Sequence, residues 1–201
     1  MDNCIYIFSD SHNVMFSDRL YWGEDFVFKY RDHTEDSIFK TRMGASFTAH
    51  SLHTHDAEIR EALKGLENNK VWFCYGEIDC RAYISDQHVK NETSVEEETE
   101  KVVFNYWHYV DDLKKNGYNN ISIVSIVPTY REGGSKAAAV RKHITETFNS
   151  RLKHHCNDSG IDFIDIYHLL VDPEDGFNRH DMLLPYSIAE EARTGRKDNM
   201  H

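Results

Sequence analysis

The sequence has no apolar run of the about eighteen residues that a membrane span requires, and no block of lysines and arginines. Lys and Arg total 23 against 34 Asp and Glu, so the formal charge of −11 repels phosphate backbones. Neither nucleic acid nor a membrane is therefore expected as a partner. No basic region precedes the short apolar run that starts near Cys4, so no export signal is legible and a cytoplasmic location is expected. Cys4, Cys74, Cys80 and Cys156 match no zinc spacing, and in a reducing compartment they are expected as free thiols. The 13 histidines stand in no motif that fixes metal geometry, so neither a metal nor another cofactor is expected. There is no internal repeat, no low-complexity tract and no stretch of linker character. One domain over residues 1–201 is the expected organisation.

What the chain does contain is an alternation. Short runs rich in β-branched and aromatic residues alternate with stretches of helical period, the signature of parallel strands joined by crossover helices. Strands are expected at residues 4–8, 25–30, 71–75, 121–127 and 161–166. The fold class that follows is α/β, a three-layer sandwich around a central parallel sheet of about five strands. Thr54 is placed to cap a helix with Ile59, Leu63 and Leu66 on one face. A longer helix runs from Val95 with Val102, Tyr106, Val110 and Leu113 on one side, and Gly117 ends it. A third begins near Ser135, where Val140, Ile144, Phe148 and Leu152 recur every four residues. Pro173, Asp175, Gly176 and Asn178 mark a loop, and residues 187–193 read as a last short helix. The Glu96, Glu97, Glu98 run reads as a solvated helix face, whereas Trp72, Trp107 and the residues from Tyr106 to Tyr109 read as core.

Ligands of open parallel sheets sit at the carboxyl ends of the strands, which directs attention to the segments that leave them. The first strand delivers Ser9-Asp10-Ser11-His12. A serine hydroxyl is a weak nucleophile until a base reaches it, and a strand-to-helix turn exposes it beside backbone N–H groups suited to an oxyanion. This segment resembles the Gly-Asp-Ser-His opening of the SGNH, or GDSL-type, hydrolases, with Ser9 in the glycine position. Met43-Gly44-Ala45-Ser46 stands where that family supplies a glycine N–H to its oxyanion hole. Gly76-Glu77-Ile78-Asp79-Cys80-Arg81 resembles the Gly-Glu-Ile-Asp-Cys/Val-Arg loop of a bacterial-type branch often linked to glycan-related genes. The resemblance implies a flavodoxin-like fold with Ser11 as the nucleophile. Asp10, Gly44, Gly76, Glu77, Asp79 and Arg81 would then surround the oxyanion and the pocket, and the substrate would be a small ester or an O-acylated carbohydrate.

Two positions depart from the family pattern. Ile78 stands where most members place an asparagine whose amide donates to the oxyanion. Losing one such donor costs about two to three orders of magnitude in rate, so either Arg81 or a backbone amide compensates or the chemistry is slow. The family also takes its base from a carboxy-terminal Asp-x-x-His, but here Asp181 is followed at that spacing by Leu184. His180, beside Asp181, is the first substitute, and His12, His50, His53 and His168 are further candidates. An Asp79–Arg81 ion pair would hold the third-strand loop. The leading expectation is an esterase-like enzyme in which Ser11 attacks and His180 shuttles the proton. Ile78 and Leu184 support a second expectation, a catalytically divergent protein of the same fold that binds or transfers a sugar in glycan biosynthesis without hydrolysis.

Overall fold

The computed structural model describes residues 4–10, 39–43, 47–129 and 136–177. The strand expected at 25–30 and the helix expected at 187–193 lie outside these residues. Five strands form one sheet: β1 (Ile5–Ser9), β2 (Phe39–Met43), β3 (Lys70–Cys74), β4 (Ile121–Val124) and β5 (Asp162–Ile164). Their order is β2-β1-β3-β4-β5, and every pairing is parallel. This is the doubly wound order in which strand succession reverses between β1 and β3.

Three of the strands expected from sequence, β1, β3 and β4, begin within a residue or so of their predicted positions, and β5 keeps only the middle of its predicted run. The edge strand β2 was not anticipated. Its sequence, Phe-Lys-Thr-Arg-Met, carries three consecutive polar residues, two of them charged, which suits a sheet edge rather than a buried interior. By contrast Tyr6, Ile7, Phe8 and Ser9 of β1 and all four residues of β4 are buried consecutively. Burial without alternation requires cover on both faces of the sheet, as expected of a layered α/β domain.

The helices between strands are α1 (Asp56–Leu63), α2 (Ile84–Asn91), α3 (Val95–Lys115) and α4 (Lys136–Ser159), and α5 (Tyr167–Leu170) follows β5. α3 packs along α4, and together they cover the face of the sheet presented by Tyr6, Phe8, Val71, Phe73, Ile121 and Ile123. Phe8 and Phe73, paired in register across β1 and β3, stack with ring centroids 5.3 Å apart. α3 starts at Val95 as the sequence predicts, because the Ser94 hydroxyl accepts from Glu97 N while the Glu97 carboxylate accepts from Ser94 N. The acidic run is not simply a solvated face. Glu97 closes this capping box, Glu96 reaches His143, and Glu98 is buried, accepting from Thr93, Asn91 and Lys101. Carboxylates crowd a helix start because free N–H groups and the helix dipole favour them there.

Two helix expectations need correction. The segment after β2 turns helical at Ala49 rather than after Thr54: Thr48 caps a tight 3-10 helix, Ala49–His55, that runs straight into α1. Its capping box joins Thr48 and Ser51, a hydroxyl pair that outcompetes the later threonine. In α4, Ile144, Phe148 and Leu152 are fully buried as expected, but Val140 is 45% exposed and Ala138 is buried in its place. Four-residue steps drift slowly off a 3.6-residue helix, so the row leaves the buried face at its first member.

Candidate active site at the carboxyl edge of the sheet

The registers of β1, β2 and β3 end level, with Ser9 abreast of Met43 on one side and of Cys74 on the other. Asp10 and Tyr75, the residues that follow β1 and β3, therefore leave one edge side by side, with the end of β2 level beside them. This is where a sheet of this order opens a crevice for ligands. Asp10 is buried, and its charge is near enough to Cys74, Tyr75 and Cys80 to raise the pKa of each, after burial itself. Ser11, Gly44, His180 and Asp181 lie outside the described residues, as does His12.

Gly76 is fixed by two independent constraints. Its φ of +122° disfavours any side chain, and a Cβ there would stand 2.7 Å from Phe148 Cζ and 2.8 Å from Ile126 Cδ1. Its carbonyl accepts from Cys80 N at 2.9 Å, which starts the helix. The segment from Glu77 to Arg81, read from sequence as a loop, is thus helical. It contains one π-helical turn, Asp79–Tyr83, before α2. π-turns of this kind are frequent at functional sites because they re-aim side chains from an otherwise regular helix.

That turn gives Asp79 a different partner from the one expected. Arg81 pairs with Glu77 one helical turn back, at 3.1 Å, on the partly exposed side. Asp79 instead points inward, fully buried, and crosses to the segment after β2. Its Oδ2 accepts from Ala49 N at 2.8 Å, and its Oδ1 accepts from His50 N at 3.3 Å and from His50 Nδ1 at 2.5 Å. Three donors converging on two oxygens suit the acceptor-only carboxylate form. The backbone donors are those that the 3-10 helix leaves free at its start. The His50 ring lies parallel to that of Tyr83, centroids 3.6 Å apart and 3° from coplanar. The Thr48 hydroxyl makes a second contact with Nδ1 at 3.0 Å.

Cys80, between Asp79 and Arg81, is buried, and burial with the nearby carboxylates of Asp79, Glu77 and Asp10 pushes its thiol well above the ordinary value. It is held as a thiol and is not a nucleophile. Of the other candidate histidines, His53 is exposed and contacts the Asn105 carbonyl, and His168 pairs with Asp165 beyond β5, at the far side of the sheet from β2. Trp72 is half-buried in β3, Trp107 donates to Ser159 Oγ, and Tyr106 and Tyr109 are buried, all in structural surroundings. No three His, Cys, Asp or Glu side chains among the described residues converge as metal ligands would. The sequence reading named His50 only as one of several histidines. It missed Tyr83 and the Thr48–Ala49 backbone altogether, since nothing in the spacing reveals that residues about thirty positions apart meet above two different strands.

Sheet order and level strand ends give a flavodoxin-like α/β fold of the SGNH-hydrolase type. Solved structures share it. A Bacteroides fragilis protein assigned as an acylhydrolase matches with a TM-score of 0.61 at 14% identity, over 90% of this chain and 76% of its own. A GDSL-like lipase from Bacteroides thetaiotaomicron gives 0.60 at 14% identity, over 91% and 78%. An acetylxylan esterase from Geobacillus stearothermophilus, solved as a catalytic aspartate-to-alanine mutant, gives 0.51 at 10% identity, over 82% and 76%. At these identities the likeness is one of fold. No family model matches the sequence, and no curated protein does.

Proposed function

We propose that the chain is an SGNH-type ester hydrolase in which Ser11 attacks the acyl carbon of a small ester, with an O-acylated carbohydrate as the favoured substrate class. One observation carries this reading. The exits of β1, β2 and β3 are level, and the segments that follow the two outer strands are tied together by Asp79 around the exit of the central one, which leads through Asp10 to Ser11. Backbone amides at Ser11 and Gly44 are the oxyanion donors in this reading, with a histidine as the base. The fold neighbours support it, since they are lipases and esterases, one of them a carbohydrate esterase. A net charge of −11 favours neutral acyl sugars over polyanions.

Hydrolysis of a chromogenic acetate ester by the purified protein is the test. Wild type is expected to turn over and Ser11→Ala to fall to the uncatalysed rate; equal rates for the two defeat the proposal. Ile78, which offers no side-chain donor, favours a second reading of sugar binding or transfer without hydrolysis. Saturable binding of a nucleotide sugar, with Ser11 inert toward a fluorophosphonate probe, would select it.

A further inference from the structure

We infer that the cleft between α4 and the segment leaving β5 binds a neutral sugar, at a site separate from the strand exits discussed above. The inference stands apart from the hydrolase reading, because binding there requires no turnover. The cleft has a volume of about 380 Å³, within the roughly 300–1,000 Å³ of ordinary small-ligand sites. In the sheet β5 lies three strands from β1, about 14 Å at the usual strand spacing.

The cleft has two walls, and both are fixed before any ligand arrives. One is a face of α4, where Glu146, Ser150 and Lys153 recur at helical spacing. The other is Phe163 of β5, followed by Asp165, Tyr167 and His168. Two neighbouring residues just past β4 pin them. Ser125 Oγ accepts from Ile166 N and Tyr167 N, each at 2.9 Å, which sets the turn after β5. The Asn149 side chain bonds both backbone groups of Ile126, at 2.8 and 2.9 Å, which sets α4. A ligand therefore meets a cleft of set width and does not have to order it.

The charges in the cleft are already compensated. Asp165 Oδ2 faces Lys153 Nζ at 3.0 Å and His168 Nε2 at 3.4 Å. Glu146 Oε1 accepts from the Tyr167 hydroxyl at 3.2 Å, with Lys142 Nζ 3.9 Å away. An anionic ligand would meet two carboxylates, and a cationic one would meet the ammonium groups that hold them, so neither is favoured. Each carboxylate keeps its second oxygen for a ligand: among the described residues no hydrogen bond reaches Asp165 Oδ1 or Glu146 Oε2. An ionised carboxylate only accepts, so these oxygens call for hydroxyl donors, and the Ser150 hydroxyl can donate or accept beside them. Between them lies the half-buried Phe163 ring, whose electron-rich face attracts C–H hydrogens. Lys153 Nζ stands 6.0 Å from the centroid of that ring, at the limit of cation–π reach, and does not close it off. Hydroxyls for the two acceptors, C–H hydrogens for the ring and no net charge are together the chemistry of a sugar.

Titration of the nitrogen-labelled wild-type protein with xylobiose, cellobiose and maltose, followed by amide NMR shifts, is the test. At least one of the three is expected to move the Ser150, Asp165 and His168 amides saturably, with half-saturation at about 1–10 mM. Phe163→Leu is expected to weaken that binding by about tenfold. Because Phe163 also packs against the core, Ser150→Trp is the second variant. Ser150 is exposed and its side chain makes no hydrogen bond among the described residues, so a tryptophan there fills the cleft without removing a structural contact. It is expected to abolish the shifts at an unchanged thermal midpoint. The inference is overturned if none of the three sugars moves these amides, or if the shifts survive in Ser150→Trp. It is equally overturned if inorganic phosphate or putrescine binds there and no sugar does. Turnover of a chromogenic acetate ester reads the other proposal separately: turnover without shifts removes the sugar site alone, and shifts without turnover remove the hydrolase reading alone.

Discussion

Gly76→Ala tests the physical core of the site, because the structure supplies both parts of its cost. Holding an alanine at a φ of +122° costs about 1–3 kcal/mol of backbone strain. The new Cβ also sits 2.7 Å from Phe148 Cζ and 2.8 Å from Ile126 Cδ1. Carbon atoms prefer a separation of about 3.5–4.0 Å, and neither neighbour is a flexible surface group, so overpacking adds about 1–3 kcal/mol. A loss of about 2–6 kcal/mol is expected, a large share of the roughly 5–15 kcal/mol that holds an ordinary domain together. Urea unfolding followed by far-ultraviolet circular dichroism measures it as a fall in midpoint at unchanged slope. Adding Phe148→Leu should relieve the clash with Phe148 but neither that with Ile126 nor the strain, so the double variant should lose less than the two single losses combined. A Gly76→Ala protein within about 1 kcal/mol of wild type would refute the reasoning and with it the claim that this glycine sets the direction of the helix carrying Asp79.

Two further outcomes follow from described contacts. Bonds from Lys101, Thr93 and Asn91 hold the Glu98 carboxyl down at about 2 against an ordinary 4.5. A depressed folded value stabilises above about 4.5 and fades as pH falls toward 2. Glu98→Gln should therefore cost about 1–3 kcal/mol at neutral pH and much less near pH 2, and a difference that does not change with pH in thermal melts would count against it. Asn149 accepts from Ile126 N at 2.8 Å and donates to Ile126 O at 2.9 Å, clamping α4 to the exit of β4. Asn149→Ala leaves both buried backbone groups without that partner and should cost about 2–4 kcal/mol in chemical denaturation; a loss under about 0.5 kcal/mol would show that water replaces the amide.

The α/β class was legible because buried parallel strands write themselves as short, uniformly apolar runs such as Ile5 to Phe8 and Ile121 to Val124, and because α3 announces its start through Ser94 and Glu97. β2 was missed for the converse reason: Lys40, Thr41 and Arg42 leave no apolar run at this edge of the sheet. The helical character of Glu77 to Tyr83 was also written in the chain, as a Glu–Arg pair four residues apart, but a motif familiar as a loop masked it. The motif does lie at the carboxyl end of β3. It could not assign Asp79 to His50 over Arg81, because that choice depends on a π-turn that rotates one carboxylate inward and on a 3-10 helix that offers two free N–H groups to meet it.

The support of Gly76 has a bearing on synthesis. Asp79 and its partners Ala49 and His50 lie in the first eighty residues, yet Ile126 and Phe148, against which the glycine is pressed, are translated much later. A nascent chain that has emerged only through α2 holds Asp79 and the 3-10 helix it binds, but not the buttress behind the glycine. The turn that aims Asp79 gains its support only when α4 docks.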